Sequence, residues 1–104
     1  MTKVELVNFI DNEVKKIAYL IIKKDIETSE NISYKIYFKH QGMKIPMINI
    51  KLNPAKIYMS YDIILIDDKD KHYKQSKVVI DVNEIGYQIA YDTLMTYIDF
   101  IVNS

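Results

Sequence analysis

The side chains best suited to chemistry are few in this chain. His72 follows Asp67, Asp68 and Asp70 closely, and this run is the nearest approach to a metal-ligand set. It lacks the mid-loop Gly and the closing Glu of a calcium-binding loop, so the composition reads as solvated charge on a turn. His40 stands apart from any carboxylate cluster. Asp92 and Asp99 are seven residues apart, which on a helix puts both carboxylates on one side, but a general acid–base pair also needs a pocket. Cysteine is absent, which removes a thiol nucleophile and thiolate metal sites. Gly42 and Gly86 are the only glycines, so there is no glycine-rich phosphate loop, and neither a nucleophile elbow nor an H-E-x-x-H motif occurs. The expectation is a chain with no catalytic residues, no metal site and no cofactor. It is read as not an enzyme, with a metal-dependent activity left open.

The lysines offer a second chemistry. All 14 basic residues are Lys, and Lys holds phosphate as a point charge where Arg would fork bidentately onto phosphate or guanine. Residues 28–61 carry Lys35, Lys39, Lys44, Lys51 and Lys56 against Glu30, whereas residues 78–104 carry Asp81, Glu84, Asp92 and Asp99 with no Lys. The zero net charge therefore hides a basic middle and an acidic end. Lysines interleaved with Tyr on strands suit weak, non-sequence-specific binding of single-stranded nucleic acid, by charge and stacking.

These residues need elements to position them. Thr2 and Glu5 form a capping box, and Val7, Ile10, Val14, Ile17 and Ile21 follow at helical spacing, which predicts a helix to about Asp25. Ile32, Tyr34, Ile36 and Phe38 alternate with polar residues as a strand, and His40-Gln41-Gly42 reads as a hairpin loop that sets Tyr37 opposite Ile45. Pro46 marks the return strand as an edge, or as unpaired on one side at that point. A third strand follows over 57–67, a charged turn, and a fourth over 72–82. Asp81 and Glu84 suggest a second capping box, and Tyr87, Ala90, Tyr91, Leu94, Ile98 and Ile101 share one face of a helix over 84–102. The predicted fold class is α+β: a four-stranded antiparallel sheet flanked by an N-terminal and a C-terminal helix, α-β-β-β-β-α, in one domain over 1–104.

Each element carries apolar residues on both sides. Tyr37, Met43, Ile45, Met47, Tyr58, Ile64 and Ile66 oppose the predicted core face of the sheet, where a one-sided antiparallel sheet would be polar. Phe9 and Leu20 oppose the first helical stripe; Ile85, Ile89 and Phe100 oppose the second, beside Asp92 and Asp99. Either the helices split to cover both faces of the sheet, or the surplus is an interface. The interface reading makes those sheet residues, with Ile85, Ile89, Asp92, Asp99 and Phe100, the expected contact set for a protein partner or a homodimer. The expected function is a small interaction protein, cytoplasmic and without a membrane span. Richness in Ile, Lys, Tyr and Asn indicates an AT-rich gene, which suits a phage or mobile-element accessory protein, for instance an inhibitor of a host defence system such as CRISPR. The alternative is nucleic-acid binding through Lys35, Lys39, Lys44, Lys51 and Lys56.

Overall fold

A computed structural model describes residues 1–17, 19–38, 43–65 and 72–103. The chain is α+β and has five strands rather than the predicted four, in the sheet order β1-β2-β3-β4-β5 with every neighbouring pair antiparallel. The strands are β1 (Leu20–Glu27), β2 (Ile32–Phe38), β3 (Lys44–Leu52), β4 (Lys56–Leu65) and β5 (His72–Asp81). The first helix, α1 (Lys3–Asn8), runs on through a π turn, Phe9–Glu13, and a 3-10 turn, Val14–Lys16. The second, α2, spans Gly86–Val102.

The extra strand comes from the second half of the predicted first helix. The capping box forms as expected, with Thr2 accepting from the Glu5 amide and Glu5 accepting from the Thr2 amide. Ile10 and Val14 of the expected stripe are buried and Val7 is partly so, with Leu6, outside the stripe, fully buried beside them. The chain then turns extended at Ile17 and enters the left-handed region at Tyr19, where φ is 69°. That conformation cannot continue a right-handed helix. The β-branched pair Ile21-Ile22 follows into a strand, where such side chains fit a pleated surface. Ile17 and Ile21 are four apart and so satisfied the helical spacing, yet Ile21 pairs with Tyr37 of β2.

The β2–β3 hairpin is also shifted from expectation: Tyr37 lies opposite Met47, and Tyr34 opposite Ile50. The slip is two residues and so preserves the face of every side chain, because alternation has a period of two. Residues 40–42, the expected hairpin loop, lie outside the described residues. Pro46 is not on an edge strand, since β3 is the central strand. It does lie past the last β2–β3 pair and faces Ile63 of β4 instead. The second capping box does not form: Asp81 ends β5, and Asn83 Oδ1 accepts from the Ile85 amide just ahead of α2.

Both helical segments pack on one face of the sheet. Leu6, Ile10 and Val14 join Ala90, Leu94, Tyr97, Ile98 and Ile101 of α2 over Tyr34, Ile36, Ile48, Ile50, Ile57 and Met59 in one core. Phe9, expected to oppose the core stripe, packs edge-on against Tyr91 with ring centroids 4.8 Å apart. The expected alternative of one helix on each side of the sheet is therefore excluded. Among the described residues no helix covers the other, outer face, and no helix is long and apolar enough to cross a membrane.

Candidate anion-binding face

The outer face is set by strand parity. β1 contributes Ile21 and Lys23, β2 Ser33, Lys35 and Tyr37, β3 Ile45, Met47, Asn49 and Lys51, and β4 Tyr58, Ser60, Asp62 and Ile64. On β5 a bulge opposite the Tyr61/Asp62 step brings Lys74 and Lys77 to this face together with Val79. The face divides into two ends. Ile21, Tyr37, Ile45, Met47 and Ile64 are half-buried at one end, in register across four strands, while the other end is basic.

At the basic end two adjoining clefts share Lys51, Tyr58 and Lys77. The larger, about 580 Å³, is completed by Ile26, Thr28, Asn31 and Asn53; the smaller, about 200 Å³, by Ser33, Asn49, Ser60 and Lys74 among others. Tyr58 is directly opposite Lys51 in the ladder, and Ser60 is opposite Lys77. Tyr58 is 38% exposed and lines both clefts together with Lys51 and Lys77. Among the described residues no carboxylate lies within ion-pairing distance of Lys51, Lys74 or Lys77. Lys35 by contrast is 3.6 Å from Asp25.

Asp62 lies between the two ends and is only 1% exposed. Its Oδ2 accepts from Asn49 Nδ2 at 2.7 Å and from Ser60 Oγ at 2.6 Å, which fixes the orientation of both side chains beside the smaller cleft. Its Oδ1 has no hydrogen-bond partner but is 3.3 Å from His72 Nε2. His72 therefore meets the carboxylate across the ladder; Asp67, Asp68 and Asp70, its expected companions, lie outside the described residues. Among the described residues no three His, Asp or Glu side chains converge as a metal-ligand group.

Several expected site residues fall elsewhere. Of the five expected phosphate-binding lysines, Lys35, Lys51 and Lys56 share the outer face by parity. Lys56 is hydrogen-bonded to Asp81, a bond that raises its pKa together with the Asp81 charge. Lys44 has the opposite parity and lines a cleft with Ile63, Leu65 and Tyr73 on the other side of the sheet. Lys39 lies outside the described residues. Lys74 and Lys77 were missed because the β4–β5 register, bulge included, decides which β5 side chains join Tyr58 and Lys51. Of the expected protein-contact set, Tyr37, Ile45, Met47, Tyr58 and Ile64 are on the outer face, and Met43 is exposed just before β3. Ile66 lies outside the described residues. Ile89, Asp92, Asp99 and Phe100 are exposed on α2 and Ile85 is exposed just ahead of it, although Phe100 also meets the Tyr61 ring, with centroids 5.6 Å apart.

The arrangement can hold phosphate by ammonium charge, stack a planar ring on Tyr58, and offer hydroxyl and amide groups to the rest of a ligand. No known family profile matches the chain, and no solved structure matches it. Curated proteins do. Caffeoyl-CoA O-methyltransferase 1 of Nicotiana tabacum is 32% identical over 87 residues, covering 83% of this chain and 34% of that protein. Caffeoyl-CoA O-methyltransferase 2 of Petunia hybrida is 31% identical over the same length and with the same coverage. Caffeoyl-CoA O-methyltransferase 3 of Nicotiana tabacum is 34% identical over 65 residues, covering 62% of this chain and 26% of that protein. The chain spans about a third of the length of the curated relatives it matches. The expectation that the chain is not an enzyme is contradicted by this similarity, because these relatives carry the name of an enzyme.

Proposed function

We propose that this chain is a ligand-binding unit whose open sheet face takes a phosphate-bearing molecule with a planar base. The observation that carries this reading is the placement of Lys51, Lys77 and the exposed Tyr58 along two adjoining clefts, with Lys74 in the smaller. Point charges and one aromatic platform favour a ligand recognised by phosphate and ring rather than by sequence. The relatives are named for a coenzyme A thioester, and coenzyme A joins phosphates to an adenine nucleoside, which is this chemistry. In an enzyme of that kind, transferring a methyl group to an acceptor carried on coenzyme A, the chain's contribution would be to hold the carrier. Single-stranded nucleic acid presents the same groups in a repeating form.

A second reading, a protein-contact surface, is favoured by the apolar end of the same face. Ile21, Tyr37, Ile45, Met47 and Ile64 form an unbroken patch there, and aliphatic and aromatic side chains of this kind anchor interfaces.

The ligand reading is tested by titrating the chain with coenzyme A and, separately, with a fluorescent oligothymidylate. At least one should bind, with an affinity that falls as salt rises by a slope tracking the phosphates neutralised. Lys51→Glu with Lys77→Glu should weaken binding by roughly a hundredfold, and Tyr58→Ala by roughly tenfold, the scale of one lost stacking contact. Binding of coenzyme A alone assigns a carrier site, and preference for the oligonucleotide assigns a strand-binding one. If neither ligand binds at low salt, or if charge reversal changes nothing, the groove is not an anion site.

A further inference from the structure

Lys51, Lys74 and Lys77 and the carboxylates of α2 end up on opposite sides of a two-layer molecule. The outer sheet face carries Lys51, Lys74 and Lys77 beside exposed Tyr58 and Val79. The solvent side of α2 carries Asp92 and Asp99, with Glu84 just ahead of its first turn, beside Ile85 and Ile89, which are 63% and 41% exposed. Among the described residues none of these six charged groups has an oppositely charged partner within ion-pairing distance.

We infer that copies of this chain associate face to back, the lysine end of one outer sheet face seating on the carboxylate side of α2 of a second copy. Charge decides the occupant and its orientation. A two-fold pairing that overlays the lysine ends sets lysines against lysines, and a pairing of helix on helix sets carboxylates against carboxylates, so these symmetric arrangements oppose like charges. The face-to-back arrangement sets each sign against the other and also brings Tyr58 and Val79 against Ile85 and Ile89, giving apolar anchors with charged surroundings. Such an interface joins two different surfaces, so each added copy leaves one of each free. Growth is open-ended unless the rotation between copies closes a ring. A polyanion in the groove occupies the same lysines and competes with the second copy.

Sedimentation velocity on the intact chain tests this at about 50 mM and about 500 mM salt, conditions that shorten the screening length severalfold. The wild type should form a concentration-dependent series of species at low salt, with its association constant falling roughly tenfold or more at high salt. Lys51→Glu/Lys77→Glu makes both surfaces acidic, and Asp92→Lys/Asp99→Lys makes both basic. Each double variant alone should be monomeric with an unchanged far-ultraviolet dichroism spectrum, and an equimolar mixture of the two should re-associate. A wild type that stays monomeric, a closed dimer indifferent to either reversal, or a mixture of folded variants that stays apart overturns the proposal. The salt series on the wild type needs no variant, so it decides even if a double variant fails to fold. The mixing result is independent of any ligand, so failure of the anion-site reading leaves it standing.

Discussion

Gly86→Ala should destabilise the protein by about 3 kcal/mol or more, beyond the usual range for a single methyl group added to a packed site. A Cβ built on Gly86 would fall 2.2 Å from the carbonyl oxygen of Asp81 and 3.3 Å from its carbonyl carbon. Those atoms are backbone, and they are held from both sides. Asp81 ends β5 opposite Lys56, and the next residue, Val82, donates its amide to the Ala55 carbonyl at 3.1 Å. Relief therefore requires the strand end or the first turn of α2 to move. Helix propensity points the other way, because Ala is favoured over Gly by about 1 kcal/mol inside a helix. The clash should win, since propensity is a sub-turn effect and the displacement involves two paired elements. Chemical denaturation of the variant should show a lowered midpoint, with Gln88→Ala, an exposed change on the same helix, staying within about 0.5 kcal/mol of wild type. A Gly86→Ala protein as stable as wild type would mean that α2 starts farther from β5 than described.

Alkaline pH should remove about 2–3 kcal/mol of stability through one phenol, Tyr34. Tyr34 is buried beneath the end of the first helical segment, and its hydroxyl donates to Asp11 Oδ1 at 3.0 Å. Burial, then the hydrogen bond to Asp11 and the Asp11 charge, push its pKa from 10.0 up to about 12. Lys24 reaches the other oxygen of Asp11 at 3.2 Å and lies 5.3 Å from the Tyr34 ring centroid. Burial works against the Lys24 ammonium, but the hydrogen bond to Asp11 and the neighbouring charges outweigh it, and its pKa is raised as well. Between the unfolded and folded pKa values of Tyr34 the native state keeps a proton that the unfolded state has released. Stability is therefore complete below about pH 10 and falls as pH rises towards 12. The Lys24 contribution has the same sign, being present at lower pH and lost as the ammonium titrates. Urea denaturation across this range should show the loss, and Tyr34→Phe should flatten most of it while lowering stability near neutral pH by about 1–3 kcal/mol for the lost bond to a carboxylate. A difference titration, wild type minus Tyr34→Phe, that places the phenol at its ordinary value in still-folded protein would contradict the geometry.

Local patterns carried much of the architecture and little of the site. Alternation in β2, β3 and β4 determined which residues face the core, and this survived a two-residue error in hairpin register because facing depends only on parity. The capping box at Thr2 and Glu5 and the apolar stripe of α2 were equally legible, each being a short-range matter of hydrogen bonds or helical period. The segment after Lys16 was not, since Ile17 and Ile21 fit a helix by spacing. What made it a strand was the turn at Tyr19 and an unpaired β2 edge to join, a contact over more than a dozen residues of chain. The basic face was read only as far as Lys35, Lys51 and Lys56. Lys74 and Lys77 reached it through a bulge between β4 and β5, and Lys56 left the pool of available charges by pairing with Asp81. Gly86 is unfavourable in a helix by propensity, and only the Asp81 carbonyl packed against it in the fold requires it there. The side of the sheet on which the helices lie was likewise outside the reach of periodicity. An amphipathic helix specifies that it must bury a stripe, but which of two apolar sheet faces it buries it against is decided by how the whole chain packs, and here, among the described residues, no helix covers the outer face.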